Sequence, residues 1–441
     1  MKKNVLVSLM SNLDSFELPA KTAVSPMNVS EGQLKISVNS VLGLLPIQGA
    51  TVRLSFTADP EATPFETLTT DDSGQTGIVI IKTPNVSLSL SPDQPQPYSE
   101  ITIRVTAPDY EETIVAGVQI LPGELALQVV RMRPLFLPDN QGQEKIFVIP
   151  AHTLFGAYPA KIPEEELKPL PDTGEIVLSR VVIPEYVIVH DGDPADSTAK
   201  NYYVRYKDYI KNVASSEIYS TWPESAILAN VLAIQSFTLN RVYTEWYRAK
   251  GYPFTITSST AYDQKWVNER NIFENIDRLV DNVFANYLAR PGIRQPIFTA
   301  YCDGNNTKCN GLSQWGSRYL SDEGYGAIEI LRYYYGNNLY IATAQQISGV
   351  PSSYPGYDLE NGSRGEKVRS LQSQLNRIAK NYPAIPTLAE DGIYGPKTTA
   401  SVKVFQRIFG LPETGVTDYA TWYKVSDVYV GVTRISEPGV Y

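Results

Sequence analysis

Tyr209-Ile210-Lys211-Asn212-Val213-Ala214-Ser215-Ser216-Glu217-Ile218-Tyr219-Ser220-Thr221-Trp222-Pro223-Glu224 decides how the middle of this chain folds. The run ends at a helix start, because Thr221 and Glu224 have capping-box spacing and Pro223 falls in the first turn, where its missing N–H is harmless. Ile227, Val231, Ile234, Thr238 and Val242 then recur at helical spacing and give one apolar-leaning face. Glu224 reads as a capping residue. Glu217 stands just before the turn, among Val213, Ile218 and Trp222. Apolar company disfavours the charged form of a carboxyl, so such a glutamate can stay protonated near neutral pH and serve as a general acid; an ordinary turn glutamate is the other reading.

Working outward, residues 174–344 form one domain, opening on an apolar strand group from Ile176 to His190 and turning helical from Tyr203 to Leu339. Before it, residues 32–133 alternate apolar and polar residues in five runs: Leu34–Val38, Ala50–Leu54, Gly77–Ile81, Ile101–Val105 and Leu125–Val129. Turn clusters such as Asp71-Asp72-Ser73-Gly74 separate them, which predicts a small antiparallel β-sandwich. Gly49-Ala50-Thr51-Val52, the Asp71–Gly74 turn and Ala107-Pro108-Asp109-Tyr110 are similar to the carboxypeptidase-regulatory or prealbumin-like β modules, which carry no catalytic residue here. Residues 1–31 read as a leader segment, 134–173 as a Pro-rich acidic linker without periodicity, 345–358 as a second linker and 428–441 as a tail. The fold class expected is therefore multidomain α+β: an N-terminal β-sandwich, a mixed α/β domain and a C-terminal helical module at 359–427.

The chain's 441 residues exceed the roughly 250 to 300 at which one core stops growing. A net charge of -9 without a basic segment excludes a nucleic-acid partner. Two lysines precede a short apolar run in Met1–Met10, but Asn4, Ser8, Ser11 and Asn12 interrupt it, a poor secretory core; no run approaches the ~18 apolar residues of a membrane span. With His152 and His190 the only histidines, a multi-histidine zinc centre is excluded, and neither metal nor cofactor is expected. Cys302 and Cys309 are either disulfide-bonded or free thiols. An L,D-transpeptidase would need a histidine near one of them in sequence, and none lies there.

The opening stretch resembles the SpoIID family of lytic transglycosylases. Tyr209, Val213, Glu217, Trp222, Pro223, Glu224, Ala226, Ala233 and Thr238 fall in register with that family's signature, while Tyr219 replaces a usual proline and Asn230 a usual glutamine. Thr260-Ala261-Tyr262-Asp263-Gln264-Lys265-Trp266, Gly311-Leu312-Ser313-Gln314-Trp315-Gly316-Ser317 and the run Gly324–Gly336 are similar to its later motifs in the same order. The resemblance implies that Glu217 is the catalytic acid. It further implies sugar-binding roles for Gln264, Tyr301, Ser313, Gln314 and Trp315, although a buried structural turn accounts equally well for Ser313–Gly316. The loop from Tyr301 to Cys309 departs from the family's Gly-His-Gly lead-in, which removes the histidines some relatives use for zinc and favours a loop-bracing disulfide. Asp263 and Asp303 are the nearest candidates for a second carboxylate, and either would convert the enzyme to a lysozyme-like hydrolase.

At the C-terminus, Asp391-Gly392-Ile393-Tyr394-Gly395-Pro396-Lys397-Thr398 and Phe405-Gln406 followed by Gly410-Leu411 resemble the three-helix peptidoglycan-binding module. Ser363 and Glu366 have capping-box spacing ahead of the Val368, Leu371 and Leu375 face, and Asp391, Gly392, Tyr394, Gly395 and Thr398 read as fold-defining. The three parts in this order are similar to the clostridial spore cortex-lytic enzymes of the SleC type. That resemblance implies a zymogen of the dormant spore, extracellular after germination, whose substrate is cortex peptidoglycan and whose partners are subtilisin-like activating proteases of the Csp type. Processing is then expected near Val148 and Ile149, in the Ile146–Pro150 run. A non-catalytic amidase enhancer is the alternative from another class.

Overall fold

The computed structural model describes residues 31–56, 63–137, 145–156, 158–168 and 180–433. Apart from Glu31, the leader expected at 1–31 lies outside them, as do parts of the linker at 134–173 and the last residues of the expected tail.

Two sheets build the N-terminal part: β1 (Glu31–Ser40), β2 (Thr51–Ser55), β3 (Glu66–Thr69), β4 (Val79–Lys82), β5 (Ser99–Thr106), β6 (Thr113–Ile120), β7 (Leu125–Met132) and β8 (Ile146–Val148). Strands run β3-β2-β5-β6-β8 in one sheet, while β7-β1-β4 and the two-residue strand Ile272–Phe273 form the other. The five alternating runs all lie in or overlap strands, with Leu34, Ile36 and Val38 of β1 fully buried. The sandwich is not wholly antiparallel as expected, because β1 pairs in parallel with β7, and β6 with β8. Strand β6 escapes an alternation test because seven of its eight residues are buried. The turn after β3 closes as expected: Asp71 Oδ1 accepts the amides of Ser73 and Gln75, each at 2.9 Å, and Gly74 takes a positive φ against Val38.

Two helices organise the central part, α1 (Tyr206–Glu217) and α2 (Glu224–Tyr243), followed by α3 (Glu274–Val283), α4 (Gln314–Asp322) and α5 (Ala327–Tyr335). Helix α2 is buried on nearly every side, so it is a core helix rather than the one-faced helix its spacing suggested. The expected Thr221–Glu224 capping box does not form. Pro223 is the N-cap, and the Thr221 hydroxyl instead donates to Ser89 Oγ at 2.8 Å, in the loop after β4. Tertiary competition for the threonine overrides the local cap.

The C-terminal module comprises α6 (Glu366–Ala379), α7 (Pro396–Ile408) and α8 (Tyr419–Thr433), the last continuing into what the sequence suggested was tail. Ser363 does not cap α6: Gly365 holds that position, while Ser363 Oγ accepts the Glu360 amide. The Asp391 turn is structural, as read from the sequence: Asp391 Oδ1 accepts the Ile393 amide at 2.9 Å and the Gln372 side chain at 3.0 Å. Ion pairs dock this module on the central part, with Lys207 bridging Asp281 and Asp427, and Lys424 reaching Asp281 at 3.3 Å.

Candidate active site

Glu217 ends α1, and the chain turns extended at Ile218 to reach Pro223 and α2. The carboxyl is wholly buried. Its Oε1 accepts the Lys265 amide at 2.6 Å and its Oε2 accepts Gln314 Nε2 at 2.9 Å. The Tyr301 hydroxyl lies beside the same carboxyl without closing a well-formed hydrogen bond. Burial pushes the Glu217 carboxyl above its usual range, and the Lys161 charge together with the donors of Lys265 and Gln314 only partly opposes it. Position at a helix C-terminus, the negative end of the dipole, works in the same direction.

The remaining expected residues divide into two sets. Gln314 and Tyr301 meet Glu217. Gln264 does not: its Oε1 accepts the Tyr209 hydroxyl and Thr238 Oγ1 while its amide donates to Ile234 O at 3.1 Å, so it ties α1 and α2 to the 260–266 loop. Ser313 is the N-cap of α4, its hydroxyl accepting the Gly316 amide at 2.9 Å. Trp315 packs on Trp222, with ring centroids 5.0 Å apart, and meets Tyr219 edge-on at 6.1 Å. Asn230, the departure from the family pattern, bridges helices through Ser317 Oγ at 2.7 Å. Cys302 and Cys309 are bonded, with Cα atoms 6.1 Å apart, and they close the loop that carries Asp303.

Both candidate second carboxylates are engaged in hydrogen bonds. Asp263 accepts Arg241 Nε, the Tyr247 hydroxyl and Thr257 Oγ1, each at 2.7 Å, and the Thr257 amide at 2.9 Å. Asp303 accepts the amides of Asn306 at 2.7 Å and Thr307 at 2.8 Å and shapes its own loop.

Sequence reading missed Arg241, Tyr158, Lys161 and the Lys265 amide. Arg241 was detectable as a cation on a helix otherwise buried, and it also forks onto Glu164 at 2.8 and 2.7 Å. The others belong to extended chain without a pattern. Of the expected processing site, Val148 ends β8 and is exposed, whereas the next residue, Ile149, is buried and its amide donates to Ala116 O at 2.9 Å. Phe147, Val148, Pro150, Tyr202 and Trp266 line a cavity of about 270 Å³ there. No group of side chains suited to a metal occurs among the described residues, and no helix among them is long and apolar enough to cross a membrane.

Residues 364–425 match the family described as putative peptidoglycan binding domain. Over 68 residues the chain is 44% identical to a zinc D-Ala-D-Ala carboxypeptidase of Streptomyces albus G, covering 15% of this chain and 25% of that enzyme. It is 27% identical over 164 residues to an autolytic lysozyme of Clostridium acetobutylicum, covering 32% of this chain and 46% of the lysozyme. The chain thus spans less than half the length of either curated relative. Among solved structures, the N-terminal domain of SleB is 28% identical and covers 18% of this chain and 99% of that one, with a TM-score of 0.16. The family match falls on α6, α7 and the start of α8, so the C-terminal helical module fits a peptidoglycan-binding domain.

Proposed function

We propose that this protein is a spore cortex-lytic enzyme that cleaves the bond between N-acetylmuramic acid and N-acetylglucosamine by a lytic transglycosylase mechanism. One observation carries the reading: a single buried glutamic acid with a raised carboxyl, held by Gln314 and the Lys265 amide, while both neighbouring aspartates are committed to the fold. The C-terminal module and the similarity to an autolytic lysozyme support peptidoglycan as the substrate.

Protonated Glu217 donates its proton to the glycosidic oxygen as the bond to muramic C1 breaks, and N-acetylglucosamine leaves as the alcohol. The resulting carboxylate then takes the proton of the muramic C6 hydroxyl, whose oxygen closes on C1. The product is a 1,6-anhydromuramic end, no water is consumed, and the acid is restored. A hydrolase would need a second carboxylate near the bond. In this reading the chain is an inactive precursor in the spore, cut near Val148 by subtilisin-like Csp-type proteases at germination. Cortex peptidoglycan digested with the activated protein should yield anhydro-ended fragments by mass spectrometry, and Glu217→Gln should yield none. Water-derived reducing ends would favour a lysozyme-like muramidase, the reading suggested by the autolytic lysozyme. Undiminished release by Glu217→Gln would overturn the assignment of the acid.

A further inference from the structure

Part of the surroundings of Glu217 is chain that belongs neither to the β-sandwich nor to the helices: residues 149–156 and 158–164 run beside it, with Tyr158 and Lys161 buried and close enough to interact with its charge. The Thr153 amide donates to Ser216 O at 3.3 Å, one residue from the acid. The Tyr158 carbonyl accepts Thr307 Oγ1 at 2.9 Å. Lys161 Nζ donates to the Asp263 carbonyl at 2.7 Å and sits 5.1 Å from the centre of the Tyr301 ring. The Ile162 amide then donates to Ala261 O at 2.9 Å. The path therefore crosses from the end of α1 to the 260–265 loop, over the carboxyl a sugar would have to reach.

Its fit is imperfect in an informative way. The buried hydroxyls of Tyr158 and Tyr301 and the Oε1 of Gln314 have no hydrogen-bond partner within the protein. Buried polar groups are normally paired, so the contact between the segment, which carries Tyr158, and the cleft, which carries Tyr301 and Gln314, leaves polar groups unmatched on both sides.

The two ends of the cover are held differently. Upstream, the sandwich grips it: Ile149 N to Ala116 O at 2.9 Å, Gln119 Nε2 to Pro150 O at 3.0 Å, and His152 N to the Tyr98 hydroxyl at 2.9 Å. Downstream, the central domain grips it, through Glu164 on Arg241 at 2.7 Å and the Lys168 amide on Gln295 Oε1 at 3.2 Å.

We infer that residues 149–156 and 158–162 belong to an autoinhibitory strap, pinned across Glu217 by Tyr98 and strand β6 of the sandwich and hinged at Glu164, so that loss of the sandwich lets the strap swing out and admits a glycan. The inference rests on the proposed glycosidase reading and adds that the blocking element lies after the expected cut, on the chain that remains. Leu88, Pro92 and Asp93 of the sandwich line a cavity with Leu154, Tyr219 and Trp315, so the sandwich borders the cleft as well as holding the strap in it.

The test uses the uncut full-length chain carrying Tyr158→Ala with Lys161→Ala, which thins the strap and removes its bond to Asp263 but leaves the holds at both ends. Release of cortex fragments should rise about tenfold or more over the uncut wild type, as expected when a closed state is destabilised relative to an open one. The same release from the chain cut after Val148 is the reference. An active cut chain beside an inactive uncut variant would overturn the strap. Hydrogen exchange supplies a readout independent of activity: the Thr153 and Ile162 amides should lose protection about tenfold or more once the cut chain sheds the sandwich. Unchanged protection would refute the hinge. Inactivity of every form would refute the glycosidase reading, and the exchange result would then decide the strap by itself.

Discussion

Replacing Arg241 by methionine tests whether Asp263 is structural. The guanidinium is fully buried, and it supplies Asp263 with a cationic donor at 2.7 Å and Glu164 with a fork at 2.8 and 2.7 Å. Burial disfavours the Arg241 charge, but Asp263 and Glu164 together outweigh it and hold the guanidinium above its usual range. Methionine preserves most of the stem packing and deletes the charge. Breaking a buried ion pair from one side costs about 3–5 kcal/mol. Asp263 would keep the Tyr247 hydroxyl and the amide and hydroxyl of Thr257, so the loss should fall near the lower end, about 3 kcal/mol. Adding Asp263→Asn removes the stranded charge, so the double variant should cost about 2 kcal/mol less than the sum of the two singles. Urea unfolding followed by near-ultraviolet circular dichroism measures all four proteins. Asp263→Asn alone, once folded, should cleave cortex within about tenfold of wild type, against the ~10²–10⁴ expected for a lost catalytic carboxylate. A cost below about 1 kcal/mol for Arg241→Met, or strict additivity, would refute the buried-pair account.

Glu217→Gln should raise the melting temperature, and by more at higher pH. Because the folded carboxyl lies above its unfolded value of about 4.3, its stabilisation is complete below that pH and is lost as pH rises through the folded value. The Gln314 oxygen, now without a partner, can accept from the introduced amide, and a melting series between about pH 4 and pH 8 showing a constant difference would count against the raised acid. Asp281 behaves oppositely: although burial opposes it, the charges of Lys207, Lys211 and Lys424 hold it well below its usual range. Its contribution is present above about pH 3.9 and lost as pH falls through the folded value, so Asp281→Asn should cost about 3 kcal/mol near neutrality and converge with wild type in acid. In the C-terminal module, Gln406→Leu strands the Gly415 amide, bonded at 2.8 Å, and leaves the Val416 carbonyl, bonded at 2.9 Å, with only the longer contact from the Thr414 hydroxyl. A loss of about 2–3 kcal/mol in that module's unfolding is expected, and a neutral result would show that these groups find other partners.

What could be read from the sequence follows from how far each residue's partners lie along the chain. Strands β1, β2, β5 and β7 announce themselves because alternation is a local consequence of one buried face, and Glu217 does so because its apolar neighbours lie within a turn or two. The caps at Thr221 and Ser363 were misread for the converse reason, since a hydroxyl chooses among donors and acceptors by geometry that spacing cannot encode; Ser89 is 132 residues from Thr221. Gln264 and Ser313 were placed at the site by motif, yet their hydrogen bonds show them holding helices and a turn, while Gln314, between them and Trp315, faces the acid. The strap is the extreme case. The bonds that fix residues 149–156 and 158–162 to the rest of the protein run to Tyr98, Ala116, Gln119, Ser216, Ala261, Asp263 and Thr307, so the segment carries no period and reads as linker. A segment held to the fold by distant partners is also one whose hold can be cancelled at a distance, so illegibility in the sequence and suitability as a releasable cover have the same physical origin.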